Sequence, residues 1–204
     1  MLLRPLFLEY GFHLFTVRDN TRNIYILLLI NQQSDDVTNR IEKALQAVHN
    51  NNDPLIHNEL QWMNFGRIIN NYGQLGKSYE TALSTLNYQQ NIEILNKPFY
   101  NNLAVYRLID RINNKNDLKE IIEDYLAPII EYDRKKGTEL LKTLQVFFKN
   151  LGTRSKTAEE LNIVRQTLYH RLNRIESLIG KDYMEPQNRM MIEFSMYALK
   201  YVDM

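Results

Sequence analysis

The sequence predicts an α+β protein in which an N-terminal α+β region is followed by an all-helical C-terminal region. Two runs rich in β-branched and aromatic residues, Phe12–Val17 and Asn23–Ile30, flank the polar segment Arg18–Arg22, a pattern typical of a β-hairpin. From Pro98 onward, apolar residues recur only at helical spacing. With 204 residues, the chain is long enough for two compact domains.

Composition excludes several classes of protein. The chain has no cysteine, which removes disulfides, thiolate metal sites and cysteine nucleophiles. Its longest apolar run, Ile24–Ile30, has seven residues, against the ~20 that a membrane-spanning helix needs. The segment Met1–Glu9 has a charge and a proline where a signal peptide keeps its apolar core. We therefore expect a cytoplasmic protein that makes no membrane contact.

The N-terminal region contains three more predicted elements besides the hairpin. A helix is predicted over Asp35–Asn50, a strand over Trp62–Ile69, and a second helix from a Ser78 cap to about Ile92. The continuous apolar run Ile26–Ile30 indicates a strand covered on both faces. The apolar positions expected to be buried on the two helices are Val37, Ile41, Ala44, Leu45 and Val48, then Tyr79, Ala82, Leu83 and Leu86.

Three helices are predicted after Pro98. One carries the stripe Ala104, Leu108, Ile109 and Ile112. The next runs from Leu118 and is expected to kink or stop at Pro128, which lacks a backbone donor. The polar segment 133–137 then indicates a boundary between this helix and the next. A strongly amphipathic helix is predicted from Leu140 and ends at Asn150–Gly152.

The segment Ser155–Glu176 has the residue spacing of a helix-turn-helix. Ala158 supplies the small residue that lets the two helices approach closely, and Asn162 follows where the turn needs a left-handed residue. Apolar residues fall where both helices and the turn must bury side chains, at Leu161, Ile163, Leu168 and Leu172. The segment is also locally basic, because residues 149–181 hold seven Lys and Arg against three Glu in a chain of net charge +1.

The second helix of this motif separates an apolar face from a polar one. Projection at about 100° per residue groups Leu168, Leu172, Ile175 and Ile179 on one side. The opposite side offers hydrogen-bond donors and acceptors that suit base edges in the major groove of double-stranded DNA. The predicted contact residues on this helix are Arg165, Gln166, Thr167, Tyr169, His170, Arg171 and Arg174. Ser155, Lys156 and Thr157, at the start of the first helix, are predicted to hold a phosphate.

The region Leu140–Tyr201 resembles the C-terminal DNA-binding domain of the PucR/CdaR family of bacterial transcriptional regulators. The resemblance rests on residues 141–144, 155–158 and 165–176, on Gly180, and on Arg189 with the helix Met190–Tyr201. It implies a sequence-specific regulator with a recognition helix at about residues 165–178 in the major groove. In one departure, Arg154 stands where relatives commonly have an apolar residue, and we expect it to loosen the entry to the motif.

Upstream, the chain is similar to the degenerate GGDEF-like domain that precedes this DNA-binding domain in the same family. The matching residues are Phe65–Arg67, Leu75–Ala82 and Glu131–Asp133. The implied organisation is a GGDEF-like α+β domain at 1–97, a helical linker at 98–136 and the helix-turn-helix domain at 137–204.

The resemblance also implies partners and a biological role. The sequence Val164–Arg171 is similar to the purine-catabolism branch, which implies control of purine or ureide breakdown genes. Relatives assemble as homo-oligomers, so we expect a dimer, with the Met190–Tyr201 helix and the helices of the first half as candidate contact surfaces. A small-molecule effector would be sensed by a domain that this chain does not contain.

Two other classes of function compete with DNA binding: an enzyme, and a protein-binding module. A nucleotide cyclase needs a Gly-Gly-Asp/Glu-Glu-Phe run, and no such run occurs. Gly76–Ser78 resembles the end of a phosphate-binding loop, but Asn71 stands where that loop needs its first glycine. None of His13, His49, His57 and His170 has metal-ligand spacing. We therefore predict no enzyme activity and no cofactor, and keep a helical protein-binding or dimerisation module without DNA specificity as the alternative.

Overall fold

The computed structural model describes residues 3–19, 22–29, 36–50, 63–91, 97–112 and 115–202. These residues form an α+β structure that is mostly helical, and the sheet found among them has two strands. The chain divides into two compact units, Met1–Gln90 with Ile94–Asn102 and Asn91–Glu93 with Leu103–Met204. Within the described ranges, no helix has the length and apolar composition needed to cross a membrane.

The N-terminal unit opens with a helix, a hairpin and a second helix. They are α1 (Leu3–Glu9), β1 (Phe12–Asp19), β2 (Arg22–Leu29) and α2 (Val37–His49). The hairpin is antiparallel with Phe12 opposite Leu29, which confirms the predicted pairing. Asp36 caps α2 by accepting the Thr38 N–H at 2.9 Å, close to the predicted helix start.

The core of this unit lies between α1, one face of the hairpin and α2. Arg40 of α2 closes its edge, because its Nη2 donates to the Tyr10 carbonyl at 2.6 Å and its guanidinium lies 5.2 Å from the centre of the Phe12 ring. The prediction that Ile26–Ile30 is covered on both faces is wrong for residues 26–29, which are half-buried, and Ile30 lies outside the described residues. Only alternate side chains of β2 pack on the core, as expected of a sheet covered on one face. The fully or nearly buried core residues are Leu3, Phe7, Phe12, Leu14, Ile41, Ala44, Val48 and Phe99.

Residues 63–69 are extended but do not form the predicted strand. Phe65 makes an isolated parallel bridge with Phe99, and the Phe65 N–H donates to the Pro98 carbonyl at 2.8 Å. Arg67 instead bonds through its backbone N–H and carbonyl to the side chains of Thr81 and Ser78. Trp62, where the strand was predicted to begin, lies outside the described residues.

Helix α3 (Leu75–Asn91) follows a 3-10 turn at Tyr72–Gln74 and begins three residues before Ser78, so the predicted Ser78 cap is wrong. The Ser78 hydroxyl donates to the Arg67 carbonyl at 2.8 Å, and Thr81 Oγ1 accepts the Arg67 N–H at 2.8 Å. These bonds draw the backbone of Gly66 so close to α3 that a Cβ there would lie 1.9 Å from the Ser78 carbonyl oxygen. The predicted apolar face is only half-buried, and the buried side chains of α3 are Thr81, Thr85, Tyr88 and Gln89.

The C-terminal unit is all-helical. It contains α4 (Tyr106–Ile109), α5 (Lys115–Lys136), α6 (Leu140–Lys149), α7 (Arg154–Glu160), α8 (Arg165–Ile179) and α9 (Pro186–Val202), and a 3-10 turn at Tyr100–Leu103 precedes it. The predicted stripe at the start of this region is wrong. Ile109 is fully buried, but Leu108 is 59% exposed, because α4 is a single turn that follows Ala104 at a φ of 48°.

The long helix α5 contacts α6, α8 and α9. The helix continues through Pro128 to Lys136, so the expectation that Pro128 stops it is wrong, while the alternative, a kink, stays a prediction. A proline removes one backbone donor, and the packing of Leu118, Leu126 and Ile129, all fully buried, outweighs that loss. The helix then ends at Gly137, whose φ is +64°, in the predicted boundary segment.

The corner between α5 and α6 is held by one carboxylate. Asp133 Oδ1 accepts the Leu140 N–H at 2.8 Å and the Thr138 hydroxyl at 2.5 Å, and its Oδ2 accepts the Leu141 N–H at 2.9 Å. The side chain of one helix therefore caps the next, in a place where Glu139 makes no side-chain cap of its own.

We expect Asp133→Ala to lower the free energy of unfolding by about 1–2 kcal/mol, because it leaves the first N–H groups of α6 without acceptors. Asp133→Asn keeps one acceptor oxygen and should lose less. Urea denaturation followed by circular dichroism measures both, with Asp124→Ala, at an exposed carboxylate in the middle of α5, as the control. Equal stabilities of wild type and Asp133→Ala would contradict the capping role.

Candidate nucleic-acid interface

Helices α6, α7 and α8 contact one another and form the body of the site. Ala158 is 4% exposed, as expected of the small residue at which the helices of a helix-turn-helix approach each other. Helix α6 ends as predicted, since Leu151 and Gly152 adopt positive φ of 51° and 76° and the Gly152 N–H returns to the Phe147 carbonyl at 2.9 Å.

The turn between α7 and α8 has the predicted geometry. Asn162 has a φ of 53°, the left-handed conformation that a short amide side chain tolerates better than most residues. The Ile163 N–H donates back to the Ala158 carbonyl at 3.0 Å, which closes the turn directly over the small residue.

Helix α8 separates its two faces as the sequence predicts. Leu168, Leu172 and Ile175 are buried and Ile179 is half-buried. On the other side lies a strip of exposed polar side chains. Its members are Arg165, Gln166, His170, Asn173 and Arg174, with Thr167 half-buried at its edge.

The comparison with known families decides the nature of this unit. Residues 140–198 match the PucR C-terminal helix-turn-helix domain. This region is a PucR-type helix-turn-helix domain. The match begins at the first residue of α6 and extends into α9, so it includes the whole of α6, α7 and α8.

Three curated relatives come from Bacillus subtilis (strain 168). The chain is 30% identical over 146 residues to the proline-responsive transcriptional activator PutR, covering 68% of this chain and 34% of that relative. It is 28% identical over 145 residues to the DNA-binding transcriptional activator AdeR, covering 69% and 33%. It is 30% identical over 87 residues to the purine catabolism regulatory protein, covering 43% and 16%. The chain thus spans about a third of the length of the first two relatives.

The structure separates the three residues predicted to hold a phosphate. Ser155 and Lys156 are exposed on α7 of the PucR-type domain. The side chain of Thr157 is fully buried, and its hydroxyl donates to the Thr153 carbonyl at 2.8 Å, so the predicted contact through this side chain is wrong. The hydroxyl satisfies a carbonyl inside the domain, which the position of Thr157 in the sequence could not reveal.

Two arginines predicted to touch DNA pack against neighbouring helices of the PucR-type domain. Arg171 donates from Nη1 to the Thr143 hydroxyl at 3.0 Å and lies 3.6 Å from the Glu139 carboxylate, with its side chain 24% exposed. The Arg174 guanidinium lies 5.2 Å from the centre of the Tyr132 ring on α5, an attractive cation–π geometry. Both therefore help to hold α8 in place.

The Arg154 side chain also has a different role from the one predicted. Its guanidinium lies 4.7 Å from the centre of the Tyr169 ring, and its Nη1 donates to the Tyr169 hydroxyl at 3.1 Å. This contact joins α7 to α8, so the expectation that Arg154 loosens the motif is wrong. The two residues are fifteen positions apart on different helices, so no helical periodicity connects them in the sequence.

Ion pairs balance the positive charge of some Lys and Arg residues in the basic segment 149–181 and not of others. Lys149 and Asn150 hold Glu160 at 2.6 and 2.8 Å, and the hydrogen bond from Lys149, followed by that from Asn150, lowers the pKa of the Glu160 carboxyl. Within the described ranges, Arg154, Lys156 and Arg165 have no carboxylate within 4.0 Å. Three cations without a carboxylate partner among the described residues thus lie at the starts of α7 and α8, and Arg174 and Lys181, further along the chain, have none within 4.0 Å either.

The structure also bears on two other kinds of site, a phosphate-binding loop and a metal site. Gly76 lies in the first turn of α3 rather than in a loop before it, which is not where a phosphate-binding loop carries its glycine. No group of three His, Cys, Asp or Glu residues in the described ranges is close enough to hold a metal ion. His57 lies outside those ranges, as does the side chain of His49.

We expect the Glu139 carboxyl to titrate below its usual range, since the hydrogen bond from Lys142 and, to a smaller extent, the charge of Arg171 lower its pKa. Lys142→Gln should raise that pKa more than Arg171→Gln does. Carboxyl NMR titration measures the shift, and Lys135→Gln, whose partner is Glu131, is the control. A larger shift from Arg171→Gln would invert the proposed order of the two partners.

Proposed function

We propose that this chain is part of a sequence-specific, DNA-binding transcription regulator without enzyme activity. The observation that carries the proposal is the exposed strip of α8 in a PucR-type domain, flanked by cations that have no carboxylate within 4.0 Å in the part of the chain that the structure describes. The names of the relatives PutR and AdeR, both transcriptional activators, support the same assignment.

In the proposed complex, α8 lies in the major groove, which is wide enough for one α-helix. Gln166, His170 and Asn173 succeed one another along the strip and supply the donors and acceptors that distinguish base pairs. Gln and Asn pair bidentately with adenine, so these two positions carry most of the sequence discrimination. Arg165 is the first member of the strip at the start of α8, and Thr167 lies at its edge.

Ser155 and Lys156 contact the phosphate backbone from α7 and fix the register of α8 without reading sequence. A homodimer would place two copies of α8 on half-sites one helical turn apart. Of the residues named as a candidate dimer surface on α9, Met196 is buried inside the unit, and Tyr197 packs edge-on against Tyr106 at 5.6 Å between ring centres. Met190, 62% exposed, is the part of α9 best placed for a partner copy.

We propose further that the N-terminal unit is a catalytically inactive GGDEF-like domain, with the organisation 1–97, 98–136 and 137–204, in a cytoplasmic protein. The hydrogen bonds among Arg67, Ser78 and Thr81 support a structural role for the residues that carry this resemblance. Purine or ureide breakdown genes are the proposed targets, supported by Val164–Arg171 and by the similarity to the purine catabolism regulatory protein. A small-molecule effector would act through a domain outside this chain.

Selection of binding sites from a randomised duplex library tests the function directly. We expect enrichment of a two-fold related sequence, and fluorescence anisotropy at two salt concentrations then gives its affinity. If no duplex is retained even at low salt, the DNA-binding function fails and the protein-binding alternative takes its place.

We expect Gln166→Ala and His170→Ala each to reduce the preference for the selected duplex over a scrambled one by about 1–3 kcal/mol, because each removes a base contact. Competition anisotropy with both duplexes measures the preference. Gln90→Ala, an exposed amide on α3, is the matched control. Equal weakening on selected and scrambled DNA would exclude the base-reading roles.

A further inference from the structure

A shallow depression lies between the start of α7 and the start of α8. Arg154, Ser155, Arg165, Leu168 and Tyr169 line it. Leu168 is buried and forms its floor, whereas the other four side chains surround it with two guanidinium groups, an aliphatic hydroxyl and a phenol. We refer to Arg154, Ser155, Arg165 and Tyr169 as the α7–α8 basic site.

The position of Arg154 in this site is fixed by Tyr169. The ring of Tyr169 stacks on the guanidinium at 4.7 Å, and its hydroxyl accepts one of the five guanidinium N–H donors at 3.1 Å. Stacking and hydrogen bonding hold the planar group in one orientation, so its remaining donors are presented in a fixed fork. Such a fork matches two oxygens of a phosphate.

The charge of the site is not balanced within the described part of the chain. Neither Arg154 nor Arg165 has a carboxylate within 4.0 Å there, although five other Lys and Arg residues of the same unit do. Two like charges beside one depression repel each other, and an anion placed between them removes that repulsion. The Ser155 hydroxyl adds a donor for a third oxygen of the same anion.

We propose that the α7–α8 basic site binds one phosphodiester group of the DNA backbone, with Arg154 as its principal ligand. The inference rests on the proposed function and adds to it a contact that the sequence did not assign. A backbone phosphate fits better than a free anion because the site is open and adjoins Gln166, the first residue of the base-reading strip. Tyr169 then acts as a positioning residue that orients Arg154, and is not a base reader.

The test compares binding of the selected duplex and a scrambled duplex by wild type and variants between 50 and 200 mM KCl. Arg154→Gln should weaken both duplexes equally and reduce the slope of log K against log salt by about 0.9, the value for one phosphate contact. Over this fourfold salt range, the variant should lose roughly threefold less affinity than wild type. Arg154→Lys keeps the charge and should keep the slope.

Two further variants separate charge from position. Tyr169→Phe keeps the ring and should leave the slope unchanged while weakening both duplexes, because the fork is less well oriented. Lys119→Gln is the control. It removes one exposed charge near the start of α5, thirteen residues or about 20 Å along the helix from Tyr132, the residue that contacts Arg174 of α8. This variant should change neither affinity nor slope. Thermal unfolding by circular dichroism confirms that each variant is folded.

Each remaining outcome overturns a distinct statement. If the folded Arg154→Gln variant has the wild-type affinity and the wild-type salt slope, the proposed phosphate site is wrong. The DNA-binding function is then unaffected. Selective loss on the selected duplex makes Arg154 a base reader instead. The Arg154 Nε–H signal can also be followed by NMR while inorganic phosphate is added. If phosphate shifts this signal to a plateau and the duplex does not reverse the shift, the site binds a free anion instead. A wild-type chain that binds no duplex ends both the inference and the proposed function.

Discussion

The geometry of the C-terminal unit depends on the last turns of α5, where adjacent residues hold two different helices. Asp133 caps α6 through the N–H groups of Leu140 and Leu141, and Tyr132 stacks beneath Arg174 of α8. These two contacts, together with the buried Leu168, Leu172 and Ile175 of α8, place the exposed strip on the side of α8 that faces away from the core. The burial of Leu126 and Ile129 keeps this end of α5 in place despite Pro128.

The arginines of the motif differ in whether a carboxylate lies beside them. Arg171 is half-buried, bonds to Thr143 and lies 3.6 Å from the Glu139 carboxylate, whereas Arg174 is exposed and lies on the ring of Tyr132. Arg154 and Arg165 lie at the open ends of α7 and α8 without carboxylate partners among the described residues. Glu139 partly balances the charge of Arg171, whereas Arg154, Arg165 and Arg174 have no such partner among the described residues and contribute more to an attractive field for an anionic partner.

In the N-terminal unit, the residues that carry the sequence motif are used in packing. The hydroxyls of Ser78 and Thr81 bond to the backbone of Arg67, and the absence of a side chain at Gly66 lets that backbone lie against α3. A glycine and two hydroxyls in a short motif often indicate a phosphate site, but here these groups have partners within the unit. The buried face of α3 is consequently polar, with Thr85 bonding to the Thr81 carbonyl and Gln89 to the Asn64 amide oxygen.

The parts of this structure that could be predicted from sequence are those fixed by local geometry. A left-handed turn needs a residue such as Asn162, close helices need Ala158, and a 3.6-residue period places Leu168 and Leu172 on one face, so the motif followed from spacing alone. The hairpin followed from its polar turn for the same reason. What could not be predicted depends on contacts between distant segments: Thr157 is buried by the packing of α7, Ser78 bonds to Arg67, and Arg154 meets Tyr169 across two helices. The charge pattern of a sequence does not show which cations have partners. That distinction comes only from the three-dimensional structure, and the proposed phosphate site is based on it.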